Sequence, residues 1–524
     1  MLGMPVTSFG WSVNLIVYLI EEFNIKSIAA AQITNIVNGC LSMLPVVAAI
    51  LANSFFGNTP VISVSALISL LGIVLLTLIS FFDNLRPRPC ETGSILCNSP
   101  SKLQFGILCA ALALVTTGSA GTRVTLASAG ANQYEKRKDQ GSFFNWYVLT
   151  VNIGAIISAT AIVYTQDNVS WKLGFGLCAA ANLISAIVFI SGKRFYKHEK
   201  PMGSPFTSLL CVLVASMVKR KAVISSKEED YHNRGIGKEA KPSVSMPSKS
   251  FRFLNRAALK TEGDKKPDVD SIKNIWSLCS VQEVEDCKSV LQLLPLSLAI
   301  IFVTTPIVTQ SSFMVLQALV TDRGLGPHFK VPAASVQVIS IISSCIFIIM
   351  NNWIVYPLYH KLTHKPLTPL QKVGIGHVFI VVSMAVSAVV EAKRLRTVEN
   401  EDHMSVLWLF LPLVVVGIGE AFQSPANTDF FYGEFPESLR NTATSLISLV
   451  FGISFYLSTA LIDLIQRTTK WLPDDINHGR VDNVYWVLVI VGVLNFGYFL
   501  ACSWLYRYRN LQGDNEQDPK DIIT

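Results

Sequence analysis

Charged residues are scarce in this sequence. Only 15% of its 524 residues are Asp, Glu, Lys or Arg, whereas soluble proteins carry nearer ~25%, and the mean hydropathy is +0.43. The first charged residue is Glu21, so no basic residue precedes the opening apolar run. That run therefore lacks the positively charged start of a secretory signal peptide. The composition excludes a soluble protein and favours a chain embedded in a membrane.

Motifs for soluble chemistry are also missing. The sequence has no P-loop and no glycine-rich dinucleotide fingerprint, which argues against a nucleotide-driven pump. No zinc-type C-x-x-C pair occurs, and the eight histidines show no ligand spacing. We therefore expect no cofactor, no metal, no nucleotide and no nucleic-acid partner, and we predict that the protein is not an enzyme.

Apolar runs long enough to cross a bilayer fill most of the chain. A span needs ~20 mostly apolar residues to cross ~30 Å of hydrocarbon, and without water its backbone must be helical. Twelve such runs occur, at 1–20, 28–52, 60–82, 104–130, 143–165, 171–192, 289–318, 333–358, 373–390, 404–428, 443–465 and 484–505. The sequence therefore predicts an all-α polytopic membrane protein with twelve transmembrane helices.

The twelve runs fall into two groups of six. We predict an N-terminal six-helix bundle over 1–192, a central loop over 193–288, a C-terminal six-helix bundle over 289–505 and a tail over 506–524. The central loop carries 19 basic and 12 acidic residues. Two bundles with a pathway between them are typical of transporters, whose substrate site lies near the bilayer midplane. An integral membrane enzyme or a scaffold is the alternative that the layout leaves open.

Basic residues give an orientation. Cytoplasmic loops carry an excess of Lys and Arg, so we place the basic central loop and both termini in the cytoplasm. The basic stretch EAKRLR at 391–396 falls outside in this arrangement. Within the central loop, SPFTSLLCVLVASMVKRK (204–221) is apolar, too short to span and ends in three cations. We predict an interfacial helix along the inner leaflet there, with a packed loop segment as the alternative.

Two charges stand alone inside apolar runs. Arg123 is the one charge between Leu103 and Tyr134, and Glu420 is the one charge between Met404 and Thr428. Charges at mid-bilayer are costly, so they mark candidate functional positions. Arg123 stays protonated and suits an anion, whereas Glu420 could carry a proton. The alternative is a structural ion pair, with a helix neighbour or between these two residues.

Amides and hydroxyls accompany these charges on several helices. Such groups can simply bind helices together, but their number favours a hydrated cavity. The candidate substrate-binding residues besides Arg123 are Asn14, Gln32, Asn35, Thr305, Thr309, Gln310 and Asn427.

Two cysteines lie in a polar loop that this arrangement places outside. Cys90 and Cys97 could form an extracellular disulfide there. They could equally stay reduced, because Cys279 and Cys287 have a similar spacing on the side expected to be reducing.

Longer strings resemble a known family. FFNWYVLTVNIGAIISATAIVYTQDNVSWKLGFGLCA in helices 5 and 6, GSAGTR in helix 4 and GIGEAFQSPANTDFFYGEFPESLRNTATSL in helices 10 and 11 resemble motifs of the proton-coupled oligopeptide transporter superfamily. The chain looks like its plant nitrate- and peptide-transporter branch, and the first two helices look most like the nitrate excretion transporter subgroup. The resemblance implies a major facilitator fold, alternating access and plasma-membrane residence. It places Arg123 on the family's helix 4 cation and Glu420 on its helix 10 glutamate.

The sequence also departs from this family pattern. Family importers carry an E-x-x-E-R/K motif in helix 1 that is tied to proton coupling, and the matching positions here are Met1, Met4 and Pro5. Helix 7 of one nitrate-transporting member has a nitrate-binding histidine, and Ile307 aligns near it. The lost carboxylates put proton-driven uptake in doubt and leave Arg123 without its usual partner.

We therefore expect a facilitator of small inorganic anions that moves nitrate, or chloride, outward across the plasma membrane by alternating access. Membrane lipid is the only other expected partner, and the oligomeric state is open. One alternative is a proton-coupled importer of nitrate, peptides or hormones, with Glu420 as proton carrier. The other is a degenerate paralogue that senses or does nothing.

Overall fold

The computed structural model is mostly helical. It describes residues 2–88, 99–131, 133–134, 137–197, 205–225, 227–232, 246–248, 250–260, 276, 278–326, 329–435, 440–473 and 475–506. Within these ranges no β-strand forms, only three isolated bridges. Among the described residues, eleven helices are long and apolar enough to cross a membrane, and a bent pair at the start, counted as one span, makes twelve. The predicted all-α membrane fold with twelve spans is confirmed.

The first six spans form the N-terminal bundle. Two of its spans contain π-helical turns. One, Ala52–Phe56, extends the end of the second span, and the other, Ser158–Ile162, lies within the fifth span. The helices are α1 (Gly3–Ser12), α2 (Leu15–Glu21), α3 (Ser27–Leu51), α4 (Asn58–Phe81), α5 (Lys102–Ala131), α6 (Arg137–Ile157), α7 (Val163–Asn168) and α8 (Trp171–Ser191).

The first span is bent rather than continuous. The run expected over 1–20 divides into α1 and α2, which meet at 42°. Asn14 lies at the break with φ −97° and ψ 11°, outside the helical region. Its side-chain amide donates to α7 instead of to its own helix. We attribute the break to Asn14, because its side chain hydrogen-bonds to α7.

Close packing of α4 on α5 fixes the helix that carries Arg123. A Cβ at Gly118 would lie 2.2 Å from the backbone nitrogen of Ser69, and a Cβ at Gly72 would lie 2.4 Å from that of Val115. Glycines allow transmembrane backbones to approach this closely. The two helices therefore form a rigid pair.

The last six spans form the C-terminal bundle, after a helix of the central segment, α9 (Pro205–Val218). The first of these spans continues without a break through Pro295 and Pro306. A π-helical turn at Asn351–Val355 joins two helices into the eighth span. The helices are α10 (Val281–Leu319), α11 (Val338–Met350), α12 (Tyr356–Thr363), α13 (Pro369–Glu399), α14 (Leu407–Glu434), α15 (Arg440–Thr468) and α16 (Val481–Leu505).

Twelve crossings place the start of α1, the end of α16 and the central segment on one side of the molecule. We refer to it as the central-segment side, and to the other as the opposite side. On the central-segment side, α9 and a 3-10 helix at Arg252–Ala258 pack against the first turns of α10. Cys90 and Cys97 lie outside the described residues, so their disulfide stays a prediction.

Candidate functional site

A buried polar cluster joins the two bundles. The Ser312 hydroxyl donates to Oδ1 of Asn35 at 2.9 Å, and Nδ2 of Asn35 donates to the Ser458 hydroxyl at 3.4 Å. The hydroxyls of Thr309 and Ser458 are 2.7 Å apart. All four side chains are buried, and they are termed the polar belt. The belt connects α3 of the N-terminal bundle with α10 and α15 of the C-terminal bundle.

The polar belt lies at mid-depth in the molecule. Asn35 is eight residues from the opposite-side end of α3, and Thr309 and Ser458 are ten residues from those ends of α10 and α15. At 1.5 Å per residue these depths are ~12–15 Å. Two of the predicted site residues, Asn35 and Thr309, therefore lie near the midplane, where transporter sites lie. They are joined there through the hydroxyl of Ser458.

An ion pair links the bundles on the opposite side. A terminal guanidinium nitrogen of Arg323 lies 3.9 Å from Oδ2 of Asp167. Nδ2 of Asn14 donates to Oδ1 of Asp167 at 2.8 Å and to Oε1 of Gln166 at 3.1 Å. Asn14 is buried. The structure thus places Asn14 behind the ion pair, where it orients Asp167.

Two more contacts bring the bundles together on the opposite side. The Ser335 hydroxyl donates to the backbone carbonyl of Ala159 at 2.7 Å. The rings of Tyr164 and Phe329 stack with their centroids 6.0 Å apart. With the ion pair and the polar belt, these contacts close the space between the bundles on the opposite side.

Arg123 lies in the half of α5 that is nearer the central-segment side. It lies eight residues before the end of α5, a depth of ~12 Å, and its side chain is exposed. The Tyr147 hydroxyl donates to its backbone carbonyl at 2.9 Å. Within the described ranges its guanidinium forms no ion pair or hydrogen bond, with Glu420 or any other residue. An arginine at this depth is too costly in hydrocarbon, so its exposed surface meets water.

Glu420 lies on α14 with a half-buried side chain. It too has no ion-pair or hydrogen-bond partner in the part of the chain that the structure describes. The residues one and two turns further, Ser424 and Thr428, are exposed, whereas Asn427 is buried. The exposed polar row on α14 therefore runs from Glu420 through Ser424 and Thr428 toward the central-segment side.

Comparison with known proteins agrees with this arrangement. The profile of the POT family, PTR2, matches residues 59–479. The chain belongs to the POT family. Protein NRT1/PTR FAMILY 2.3 of Arabidopsis thaliana is 75% identical over 522 residues, covering 99% of this chain and 94% of the relative. Protein NRT1/PTR FAMILY 2.1 of the same plant is 74% identical over 524 residues, covering 100% of this chain and 94% of the relative.

Solved structures of POT transporters share the fold of this family member. A crystal structure of an auto-inhibited POT family peptide transporter superposes with a TM-score of 0.70 at 16% identity, covering 97% of this chain and 96% of that one. The in meso crystal structure of PepTSo gives 0.70 at 15% identity, covering 97% of both chains. The solved structures show that this POT family member has the major facilitator fold. The family profile and the relatives identify it as a multi-pass membrane transporter and not an enzyme.

Three other predicted residues of this POT transporter lie outside the polar belt. Nε2 of Gln310 donates to the hydroxyls of Ser383 and Ser387 on α13, both at 2.8 Å, so it faces the interior of the C-terminal bundle. The Thr305 hydroxyl donates to a carbonyl of its own helix. Gln32 is half-buried and has no hydrogen bond within the described ranges. Their roles in substrate binding stay predictions.

A buried ion pair of this POT transporter was placed wrongly from sequence. The apolar run of the ninth span ends at 390 and puts 391–396 outside, but the stretch belongs to α13. Nε and Nη2 of Arg394 donate to the two carboxylate oxygens of Glu391 at 2.7 and 2.8 Å, and both side chains are fully buried. Nε2 of Gln317 on α10 also donates to Glu391 at 2.7 Å. The i, i+3 spacing of opposite charges is the helical signal that could have revealed the pair.

Proposed function

We propose that this POT transporter carries small monovalent inorganic anions, nitrate first and chloride second, outward across the plasma membrane of a plant cell. The observation that carries the proposal is Arg123, an exposed cation ~12 Å inside the molecule without an ion-pair partner in the described ranges. An unpaired guanidinium in a water-filled opening attracts anions. At 4 Å and an effective dielectric constant of 20, the attraction is ~4 kcal/mol.

The proposed cycle begins with the opening on the central-segment side. An anion enters there and binds near Arg123, which offsets its charge. The halves then rock, the opening closes behind the anion, and the contacts of the opposite side separate. Hydroxyls and the amide of the polar belt replace part of the anion's water as it passes, as selective pathways require.

The membrane potential supplies the driving force in this proposal. An inside-negative potential drives an anion outward by ~2.3 kcal/mol per 100 mV. No coupled proton is then needed, in agreement with Met1, Met4 and Pro5 at the positions of the family's helix 1 motif.

Flux through proteoliposomes tests the proposal. We expect voltage-driven nitrate and chloride efflux that is lost in Arg123→Ala and largely kept in Arg123→Lys. Arg467→Ala is the matched control, because Arg467 is an exposed arginine paired with Asp463 near the opposite-side end of α15. Unchanged flux in Arg123→Ala, or strict dependence on a proton gradient, would contradict the proposal. Microscopy of a fluorescently tagged chain in plant cells tests the location.

A second candidate is proton-coupled uptake, favoured by Glu420. This carboxyl is half-buried, has no partner in the described ranges and begins the exposed polar row on α14. Its protonation could therefore be coupled to the rocking of the halves. Proton currents on adding nitrate or a peptide, abolished by Glu420→Gln, would favour this function over passive efflux.

A further inference from the structure

Arg323, the cation of the ion pair on the opposite side, has a fixed place on the C-terminal bundle. It lies in the loop between α10 and α11. The N–H of Asp322 donates to the Met404 carbonyl at 3.0 Å, and the Asp322 carbonyl accepts from the Val406 N–H at 2.8 Å. The Arg323 carbonyl accepts from the Val331 N–H at 2.9 Å. Backbone hydrogen bonds on both sides of Arg323 therefore tie it to the C-terminal bundle.

Asp167, the anion of this pair, has a fixed place on the N-terminal bundle. It lies on α7, where Nδ2 of Asn14 donates to its Oδ1 at 2.8 Å. Its side chain is only 9% exposed. Besides Arg323, it meets the backbone N–H of Ala333 from the C-terminal bundle. Both contacts with the C-terminal bundle are broken when the two halves part on the opposite side.

The guanidinium of Arg323 lacks hydrogen-bond acceptors. Its distance of 3.9 Å to Oδ2 of Asp167 exceeds that of an N–H···O hydrogen bond, about 2.7–3.2 Å. Within the described ranges its side chain donates no hydrogen bond, although it is only 14% exposed. Donors that are shielded from water and unpaired are costly. The guanidinium therefore has unused capacity to bind an anion that offers closer acceptors.

A second pair of charges lies near this contact. Glu21 ends α2, and Lys330 lies on the same loop as Arg323. Glu21 interacts electrostatically with both Arg323 and Lys330, and so does Asp167. Two carboxylates of the N-terminal bundle therefore oppose two cations of the C-terminal bundle. When the bundles part, the two cations lose their counter-charges and border the exit.

We propose that Arg323, with Lys330 beside it, forms a second anion site on the opposite side, which is available only when that side is open. A nitrate or chloride ion there takes the place that Asp167 has in the closed state. Nitrate is a planar oxyanion, and the planar fork of a guanidinium can donate two parallel hydrogen bonds to such a group. The choice of ligand rests on the proposed function, to which this site adds an exit beyond Arg123.

Binding at this site shifts the conformation of the transporter. A ligand that binds one of two states better moves the equilibrium toward that state. An anion at Arg323 competes with Asp167 for the same guanidinium, so it stabilises the arrangement in which the two bundles are apart on the opposite side. Nitrate outside the cell therefore favours the open exit.

A nitrate titration of the full-length protein in nanodiscs tests this site. Amino acids that carry spin labels replace the exposed Lys102 and Lys470, which lie on the opposite side, one on each bundle. Gluconate keeps the ionic strength constant as nitrate is added. Every variant also carries Arg123→Ala, which removes the cation on which the proposed function rests. Pulsed EPR then measures the fraction of protein with an open opposite side.

We expect nitrate to raise the open fraction in Arg123→Ala alone and to have no effect once Arg323→Gln is added. Arg323→Lys keeps the charge and should keep the response. Asp167→Asn should keep it too, at a half-effective nitrate concentration lower by about two- to fivefold, because more of the protein is open before nitrate binds.

Three outcomes would overturn the site. They are no response in Arg123→Ala alone, a response that persists in Arg323→Gln, and a response lost in both Arg323→Gln and Asp167→Asn. The last would indicate that salt merely screens the ion pair. Flux through Arg123→Ala tests the proposed function separately, so either proposal can fail without the other.

Discussion

Substitution of Arg394 by methionine should destabilise the C-terminal bundle by ~3–5 kcal/mol, the usual cost of leaving one partner of a buried ion pair alone. Arg394 donates twice to Glu391 and once to Oδ1 of Asn477, at 2.6 Å. After the substitution, the buried carboxylate keeps the amide of Gln317 as a donor. One neutral donor does not offset the cost of burying a charge.

The double variant Glu391→Gln with Arg394→Met separates the lost charge balance from lost packing. Replacing both charges removes the uncompensated carboxylate, so most of the stability should return. Unfolding in detergent, followed by a thiol-reactive dye that labels the buried Cys178 and Cys279 as they become accessible, measures both variants. Wild-type stability in Arg394→Met, or no recovery in the double variant, would refute the reasoning.

Further predictions concern the closed side, the helix contacts and the central segment. Asp167→Asn weakens the ion pair across the bundles, and spin-label distances should show a larger open fraction on the opposite side, by ~two- to fivefold. Ser458→Ala removes two interhelical hydrogen bonds of ~0.6 kcal/mol each, and urea unfolding in micelles should show a loss near their sum. Gly118→Val should cost ~1–3 kcal/mol through overpacking, whereas Gly106→Val, with open space around it, should leave the unfolding temperature unchanged. Burial raises the pKa of the Cys279 thiol to about 12, so at pH 8 far less of it is thiolate than of an ordinary thiol. Maleimide should label it correspondingly slowly, and faster as the pH rises toward that pKa.

The spans and their two groups could be predicted from sequence because hydrocarbon imposes one requirement on every crossing. An apolar run of sufficient length has to form a helix there, whatever its neighbours are. The same reasoning failed at 391–396, because hydropathy ends the span at the first charged residues. Arg394 is instead neutralised by Glu391 within its own helix, a pairing that hydropathy does not register.

The candidate site was only partly predictable because sequence gives the position of a side chain along a helix but not its neighbours. Asn35 and Thr309 were predicted to line the pathway, and each forms a hydrogen bond with the hydroxyl of Ser458. Ser458 itself was not among the predicted residues. On α14, the polar residues that follow Glu420 are divided between a buried and an exposed face of the helix. Close packing against α13 buries Gln423, since a Cβ added at Gly376 of α13 would lie only 2.9 Å from the Cβ of Gln423. The face of α14 that carries Ser424 and Thr428 stays exposed.

The length of α10 means that a small tilt of this helix displaces its ends by a larger distance. Its 39 residues span ~58 Å at 1.5 Å per residue, nearly twice the ~30 Å of the hydrocarbon. One continuous helix therefore connects the turns that project on the central-segment side with Thr309 and Ser312 of the polar belt. A tilt too small to resolve at the midplane is therefore amplified at the projecting end. A fluorophore pair between that end and the N-terminal bundle would report each turnover from outside the pathway.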